Sequence, residues 1–366
     1  MSSPTIMICA GGTGGHMFPA LALAQDLKSR DCRIVLVTDH RTAHYTKDQD
    51  IDYVHVITSS TLPASVFGKI KGLLSLARGY YQSYRLIKKY SPSIAVGFGG
   101  YPSLPPMVAA QRNNIPTIIH ESNAVLGKAN AYLAKHADRI ALSLPNMSSL
   151  DDVDRARAVI TGNPIRSDIA ALYSHPYNAS DQDAPFHITV MGGSLGAKVM
   201  ADNVPQALSS LPEDLKVRLN IVQQCHDDDI ENAQDIYTKA GITSTLKPFI
   251  ENIPAVLKQT HLVIARSGAS TVSEIAVAGI PAIYIPYPYH ADMQQKVNAE
   301  SISKEGGAWV MEEKDLSPST LAGRIESLMR SPESLFKAAE AARGCAKPEA
   351  TRKLGNLVIA LVKGWN

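Results

Sequence analysis

Two glycine-rich turns carry the first sign of chemistry in this chain. Gly11-Gly12-Thr13-Gly14-Gly15-His16 follows the apolar run 5–10, and Gly192-Gly193-Ser194-Leu195-Gly196-Ala197 follows the run 187–191. Glycine lets backbone amides come close to a ligand, and the helix that each turn opens presents N–H groups to an anion. The pair predicts phosphate recognition, built twice. Neither turn is a dinucleotide fingerprint. A G-x-G-x-x-G pattern from Gly12 meets Met17, and from Gly193 it meets Leu195, where glycine is needed. No Gly-Lys-Ser or Gly-Lys-Thr completes a Walker turn. Asp39, at the end of the run 33–38, imitates the ribose-binding acid of a nicotinamide site. The plain alternative for each turn is a tight strand-to-helix connection with no ligand.

The second half holds the densest set of polar groups. Arg266-Ser267-Gly268-Ala269-Ser270-Thr271 leaves the apolar run 263–265 and enters a helix predicted over 272–278. Hydroxyls and N–H groups at a helix start suit a diphosphate. Glu274 lies almost one turn inside, where its carboxylate could accept both hydroxyls of a ribose. Thr271-Val272-Ser273-Glu274 reads equally as a T-x-x-E capping box that satisfies the helix itself. The proline-rich stretch 286–298 follows, with His290, Gln294 and Gln295. Carboxamides both donate and accept, so they suit sugar hydroxyls, although a surface helix start would explain them too.

In the first half, His16 closes its glycine turn as a base, a diphosphate partner or a local cap. His120-Glu121-Ser122-Asn123 and Gly97-Phe98-Gly99-Gly100-Tyr101 are further polar exits from apolar runs. In a parallel sheet such exits share the carboxyl edge, where ligands bind. Asp-x-Asp pairs at 50–52, 152–154, 181–183 and 227–229 follow no convincing strand. They read as solvated turns, so no metal is expected in the mechanism.

These residues need a scaffold of alternating strands and helices, and the chain supplies one. Strand-like runs fall at 5–10, 33–38, 53–57, 94–98, 116–120, 139–143 and 158–161, then at 187–191, 218–223, 245–247, 261–265, 282–285 and 308–311. This predicts an α/β chain. A length of 366 residues predicts two domains, with a hinge at about 162–166, where Gly162-Asn163-Pro164 is a turn tripeptide, and domains of 1–163 and 164–344. The tail 345–366, helical over 354–362, is expected to pack back on the first domain. A net charge of +2 argues against a nucleic-acid binder. Four cysteines without paired spacing read as reduced thiols, and no export signal or spanning segment is expected.

Between 66 and 90, Phe67, Ile70, Leu74, Ala77, Tyr81 and Tyr84 recur at spacings that form one helical stripe. Lys71, Arg78 and Arg85 run along its edge, with Lys88 and Lys89 beyond. Such a stripe can lie in an anionic membrane surface. The alternative is a helix buried against the sheet, and Gly68, Gly72 and Gly79 argue against one unbroken helix.

Taken in order, Gly-Gly-Thr-Gly-Gly-His at 11–16, Gly-Gly-Tyr at 99–101, His-Glu-x-Asn at 120–123 and Gly-Asn-Pro-x-Arg at 162–166 resemble the MurG family of bacterial transferases. Gly-Gly-Ser-x-Gly-Ala at 192–197, Arg-Ser-Gly-Ala-x-Thr-Val-Ser-Glu at 266–274 and Asp-x-Gln-Gln at 292–295 extend the resemblance over nearly the whole chain. It implies a GT-B fold, two Rossmann-like domains with parallel sheets facing a deep cleft. The implied reaction is inverting transfer of N-acetylglucosamine from its UDP donor to the C4 hydroxyl of lipid I, giving lipid II, with no cofactor.

The resemblance also implies site residues. Ser194 and the turn Ala269, Ser270, Thr271 fall at the diphosphate, with Val272 and Ser273 continuing that run. Ile250 falls at the uracil, Glu274 at the ribose, and Gln294 and Gln295 at the sugar. Thr13, Gly14, Gly15, Asn123 and Arg166 are implied as further donor-site contacts. His16, then Glu121, are the choices for the base, and Tyr101 joins them as a candidate catalytic residue. Leu195 and Ser122 stand where the family commonly has glutamine. The implied setting is peripheral, on the cytoplasmic face of the bacterial inner membrane, in company with other cell-wall synthesis proteins. A different GT-B transferase, a UDP-sugar epimerase or a non-catalytic UDP-sugar binder at the membrane would share the donor motifs.

Overall fold

β1 (Thr5–Cys9) is apolar on both faces, and this explains the layering of the first half. Ile6 and Ile8 belong to one buried cluster and Met7 and Cys9 to another. β2 (Arg33–Thr38) divides the same way, Ile34 and Leu36 against Val35 and Val37. Successive strand residues point to opposite sides, so each face of this sheet needs its own covering layer.

The structure, a computed structural model, describes residues 3–60, 65–144, 150–181, 183–193, 197–289 and 293–364. The chain folds as two units, Met1–Arg166 with Glu349–Asn366, and Ser167–Pro348. In the first, β1 and β2 join β3 (Tyr53–Val56), β4 (Ile94–Gly97), β5 (Thr117–Glu121), β6 (Arg139–Leu142) and β7 (Ala158–Ile160). The order is β3-β2-β1-β4-β5-β6-β7, with every pair parallel. The second unit contains β8 (Phe186–Met191), β9 (Leu219–Gln224), β10 (Thr243–Lys247), β11 (Leu262–Ala265), β12 (Ala282–Tyr284) and β13 (Ala308–Val310). Its order, β10-β9-β8-β11-β12-β13, is also wholly parallel. The α/β reading with two Rossmann-like sheets therefore holds, and strand ends differ from the sequence reading by only a residue or two. In each unit the chain turns opposite ways after two neighbouring strands, β1 and β4 in one, β8 and β11 in the other. Ligands bind at such switch points.

Helix α1 (Gly14–Lys28) and the terminal helix Ala350–Val362 cover one face of the first sheet, burying Leu23 and Leu27 with Leu354 and Val358. The return is fastened at its start, where Thr351 Oγ1 accepts from Ile165 N (3.0 Å) and donates to Ile165 O (2.8 Å). First-unit residues thus run on to Arg166 and resume at Glu349, beyond the 163 and 345 read from sequence. The helix Pro332–Cys345 packs in the second unit and breaks before Pro348.

α2 (Val66–Tyr90) is one helix of 25 residues, which corrects the expectation that its glycines would interrupt it. The glycines form its inner face instead. A Cβ at Gly79 would overlap the Thr58 carbonyl oxygen, so glycine there lets the helix lie close to the loop after β3. Ser83 on the same face is fully buried and donates to Gly79 O at 2.7 Å. The apolar stripe points outward, with Phe67 89% and Leu74 67% exposed.

Candidate active site

Four strand exits meet at the carboxyl edge of the first sheet. The β1 turn is left-handed at Gly12 (φ 88°), and the β4 exit is left-handed at Gly99 (φ 82°) and Gly100 (φ 73°). These conformations favour glycine, and they bring the two exits together. A Cβ at Gly11 would lie 2.9 Å from the Pro102 side chain, and one at Gly100 would lie 3.2 Å from the His16 ring. His16, on the first turn of α1, packs against the Gly99-Gly100 bend. Its buried Nδ1 has no hydrogen-bond partner among the described residues. Burial lowers the imidazole pKa, against the opposing pull of the Glu121 carboxylate and the Phe98 backbone. A neutral imidazole is the form that accepts a proton.

Glu121, at the end of β5, is 2% exposed and fully engaged. Oε1 accepts from Asn123 N (3.0 Å) and Nδ2 (3.2 Å), and Oε2 accepts from Gly127 N (3.0 Å) and Asn130 Nδ2 (2.8 Å). With four donors on it, this carboxylate organises the 123–130 loop and has little lone-pair capacity left for a substrate proton. Asn130 also donates to His120 O at 3.0 Å. His120 is wholly buried, and burial pushes its pKa down to about 4. Tyr101 opens the turn Tyr101–Ser103 beside Gly100. Thr13 occupies the N-cap of α1 without a side-chain cap bond. A Cβ at Gly14 would meet the Phe18 ring at 2.9 Å, whereas Gly15 has ordinary room. The Arg166 guanidinium lies 6.0 Å from the Phe18 ring centre.

Asp39 corrects a sequence impression. Oδ1 accepts from Gly12 N (3.2 Å) and Thr42 Oγ1 (2.7 Å), and Oδ2 accepts from Arg41 Nε (2.6 Å). It braces the glycine turn from beneath and is not an open acid awaiting a ribose. The paired aspartates do similar structural work. Asp52 accepts from Ile34 N at 2.8 Å and pairs with Lys28, and Asp154 pairs with Arg157.

In the second unit the same edge carries the exits of β10, β11 and β12. Ser194, with Leu195, His290 and Asp292, lies outside the described residues. The β11 exit is held by Arg266, 6% exposed, which donates to Ile285 O at 3.0 Å and pairs with Glu313. The helix after it spans Ala269–Ala278, starting earlier than the sequence indicated, and its N-cap is Gly268, with no side-chain cap bond. Thr271 therefore stands inside the first turn, and the Thr271–Glu274 capping box does not form. Glycine at the cap brings no side chain of its own to the turn. The first helical bond runs from Val272 N to Gly268 O (3.0 Å), so the amides before it take no part in the ladder. Val272 faces the core, and Ser273 Oγ donates back to Ala269 O at 2.8 Å. Ser270 and Glu274 are half-buried on the outer side.

Gln295 ties two exits together. Its Oε1 accepts from Ser267 N (3.2 Å) and Tyr287 N (3.0 Å), and its carbonyl accepts from Ser267 Oγ (2.8 Å). Its amide nitrogen is thus aimed by two backbone contacts. Gln294 opens the helix Gln294–Ser303 beside it. Ile250 lies past the end of the edge strand β10, two strands away from β8. The candidate residues fall into two groups, one on each sheet edge. Sequence reasoning took Arg266 and Ser267 only as part of the diphosphate-ready run 266–271 and missed that they brace the β11 exit, while Asn130 carried no signal.

The Glycosyltransferase family 28 N-terminal domain matches residues 6–142, and the family 28 C-terminal domain matches residues 187–354. A curated UDP-N-acetylglucosamine–N-acetylmuramyl-(pentapeptide) pyrophosphoryl-undecaprenol N-acetylglucosamine transferase of Rhodospirillum centenum is 45% identical over 359 residues, covering 98% of this chain and 95% of the relative. The enzyme of the same name from Brucella abortus is 42% identical over 361 residues, covering 98% and 94%. The crystal structure of Acinetobacter baumannii MurG matches with a TM-score of 0.77 at 31% identity, covering 97% of this chain and 99% of that one. This chain belongs to the MurG family. Both sheet edges described above thus belong to a MurG-family glycosyltransferase. A putative UDP-N-acetylglucosamine 2-epimerase from Listeria monocytogenes matches at 16% identity with a TM-score of 0.71, which shows the shared fold alone.

Proposed function

We propose that this protein transfers N-acetylglucosamine from UDP-N-acetylglucosamine to the C4 hydroxyl of the N-acetylmuramyl unit of lipid I, with inversion, forming lipid II for peptidoglycan. The observation that carries this reading is 45% identity across 98% of the chain with a transferase of that name. The second unit takes the donor. The amides of the 268–271 turn receive its diphosphate, Glu274 its ribose, Ile250 its uracil, and Gln294 and Gln295 its sugar. Ser194 joins them at the diphosphate. The first unit takes the acceptor. His16, neutral by burial, removes the proton as the C4 oxygen attacks the anomeric carbon and UDP departs. Charge growing on UDP is met by the helix start at Gly268. Glu121 acts through the loop it holds, with Tyr101 as a further catalytic candidate, while Thr13, Gly14, Gly15, Asn123 and Arg166 are further donor contacts.

The acceptor is lipid-linked, and α2 supplies a docking face on an anionic bilayer. Its outward stripe is edged by Lys71, Arg78, Arg85, Lys88 and Lys89, and no acidic residue interrupts it. Each cation near the headgroups adds about 1 kcal/mol. Among the described residues no helix is long and apolar enough to cross a membrane. The proposed place is peripheral, at the cytoplasmic face of the inner membrane beside other cell-wall synthesis proteins, with consequences for cell shape and division. Incubation with UDP-N-acetylglucosamine and a lipid I analogue tests the activity. Disaccharide-bearing product and free UDP are expected, and UDP release without disaccharide overturns the reading.

A further inference from the structure

Arg41 follows β2 and stands over the glycine turn of the first unit. Its Nε donates to Asp39 Oδ2 at 2.6 Å, and that carboxylate is itself 1% exposed. Asp39 is tied on its other oxygen to Gly12 N and Thr42 Oγ1, so the guanidinium is anchored to a fixed base. Thr42 is buried and also shares a hydrogen bond with Thr38, 2.9 Å away. The outer part of the side chain remains open, at 48% exposure. Nη2 lies 3.6 Å from where a Cβ on Gly12 would be, and neither Nη nitrogen has a partner among the described residues. A guanidinium gripped through Nε still presents two parallel N–H groups, the geometry that recognises phosphate oxygens. An arginine serving only to neutralise Asp39 would turn its fork onto the carboxylate. Here a single nitrogen does that, and Nη2 lies beside Gly12.

We infer that Arg41 is a substrate-binding residue of the acceptor side, its fork engaging the diphosphate of the lipid-linked acceptor, with Asp39 as its positioning residue. The inference rests on the transfer reading above, because that reading makes the acceptor a prenyl diphosphate. Gly12 belongs to the same device. Its amide holds the Asp39 carboxylate, and its missing side chain leaves room for a phosphate beside Nη2.

The test is steady-state kinetics of R41A and R41K with each substrate varied in turn, alongside UDP titration. A lost charge-assisted fork is expected to raise the KM for a lipid I analogue about tenfold or more. The kcat, the KM for UDP-N-acetylglucosamine and the Kd for UDP should change little. R41K keeps the charge but loses the fork, so it should fall between the two. A folded R41A with unchanged acceptor KM overturns the inference, and so does a raised UDP Kd, which would assign the fork to the donor. A second arm reads binding of farnesyl diphosphate to wild type and R41A without turnover. Weaker binding by R41A supports the assignment even if wild type transfers no sugar to lipid I. Equal binding by both proteins, or none by wild type, overturns it. Circular dichroism and melting of R41A separate misfolding from lost contact, and D39N, which frees the guanidinium, should raise the acceptor KM in the same direction.

Discussion

At the scale of single residues, the two candidates for the base separate by their surroundings. His16 carries a buried ring nitrogen with no partner among the described residues, while each oxygen of Glu121 accepts two N–H groups. His16→Ala is expected to lower turnover by roughly 10²–10⁴-fold with UDP affinity nearly unchanged. Because burial lowers its pKa, the acid limb of the kcat/KM profile should lie below the ordinary histidine value of 6.5. A limb above that value would remove His16 as the base. Glu121→Gln places an amide NH2 against N–H donors, so a stability loss of about 1–3 kcal/mol is expected in urea unfolding. A true base would lose turnover with stability intact. Glu274→Ala tests the ribose assignment. UDP binding should weaken in this variant, and an unchanged UDP Kd would remove Glu274 from the ribose.

At the scale of elements, α2 is the most exposed commitment. Its glycine face lets the helix lie close to its support, and this turns large apolar side chains outward. Replacing Lys71, Arg78 and Arg85 with glutamate should abolish co-sedimentation with anionic vesicles while leaving UDP binding intact. Vesicle binding that survives the triple change would place the docking face elsewhere. Gly79→Ala probes the packing of the same helix. The added carbon would overlap the Thr58 carbonyl, so a loss of about 1–3 kcal/mol is expected in thermal or urea unfolding.

For the whole molecule, ligand and proton linkage give separate readouts. UDP should raise the melting temperature more than UMP or NAD, since only a ligand that binds the folded state stabilises it. A larger shift with NAD would favour a nicotinamide site. His120 and His261 are both held neutral by burial, with pKa values down to about 4. As pH falls below 6.5, the unfolded chain takes up these protons before the folded one. Stability is therefore full above pH 6.5 and declines towards pH 4, by about 3 kcal/mol for His120 alone. Urea midpoints measured across that window check the sign. A flat profile would show that these side chains are not buried as neutral groups.

The amino-acid sequence by itself determined the strands, the two-sheet plan and the family. Short apolar runs bounded by glycine turns, such as 5–9, fit a covered parallel strand, and the ordered glycine motifs sit at strand ends where local geometry demands them. What surrounds a side chain was not legible in that way. Thr271 to Glu274 fits a capping box by spacing, yet the helix starts at Ala269 because Gly268 takes the extended cap conformation. Gly68, Gly72 and Gly79 weaken a helix by propensity, yet α2 runs unbroken because close packing needs no side chain at Gly79. Asp39 looks like a ligand acid from one strand, and only the fold brings the Gly12 amide onto the oxygen it shares with nearby Thr42. Asn130 had no motif at all until the loop after β5 folded back onto Glu121. Local pattern fixes which elements form, because it depends on neighbours along the chain. Hydrogen-bond partners and burial depend on neighbours in space, and only the tertiary structure decided those.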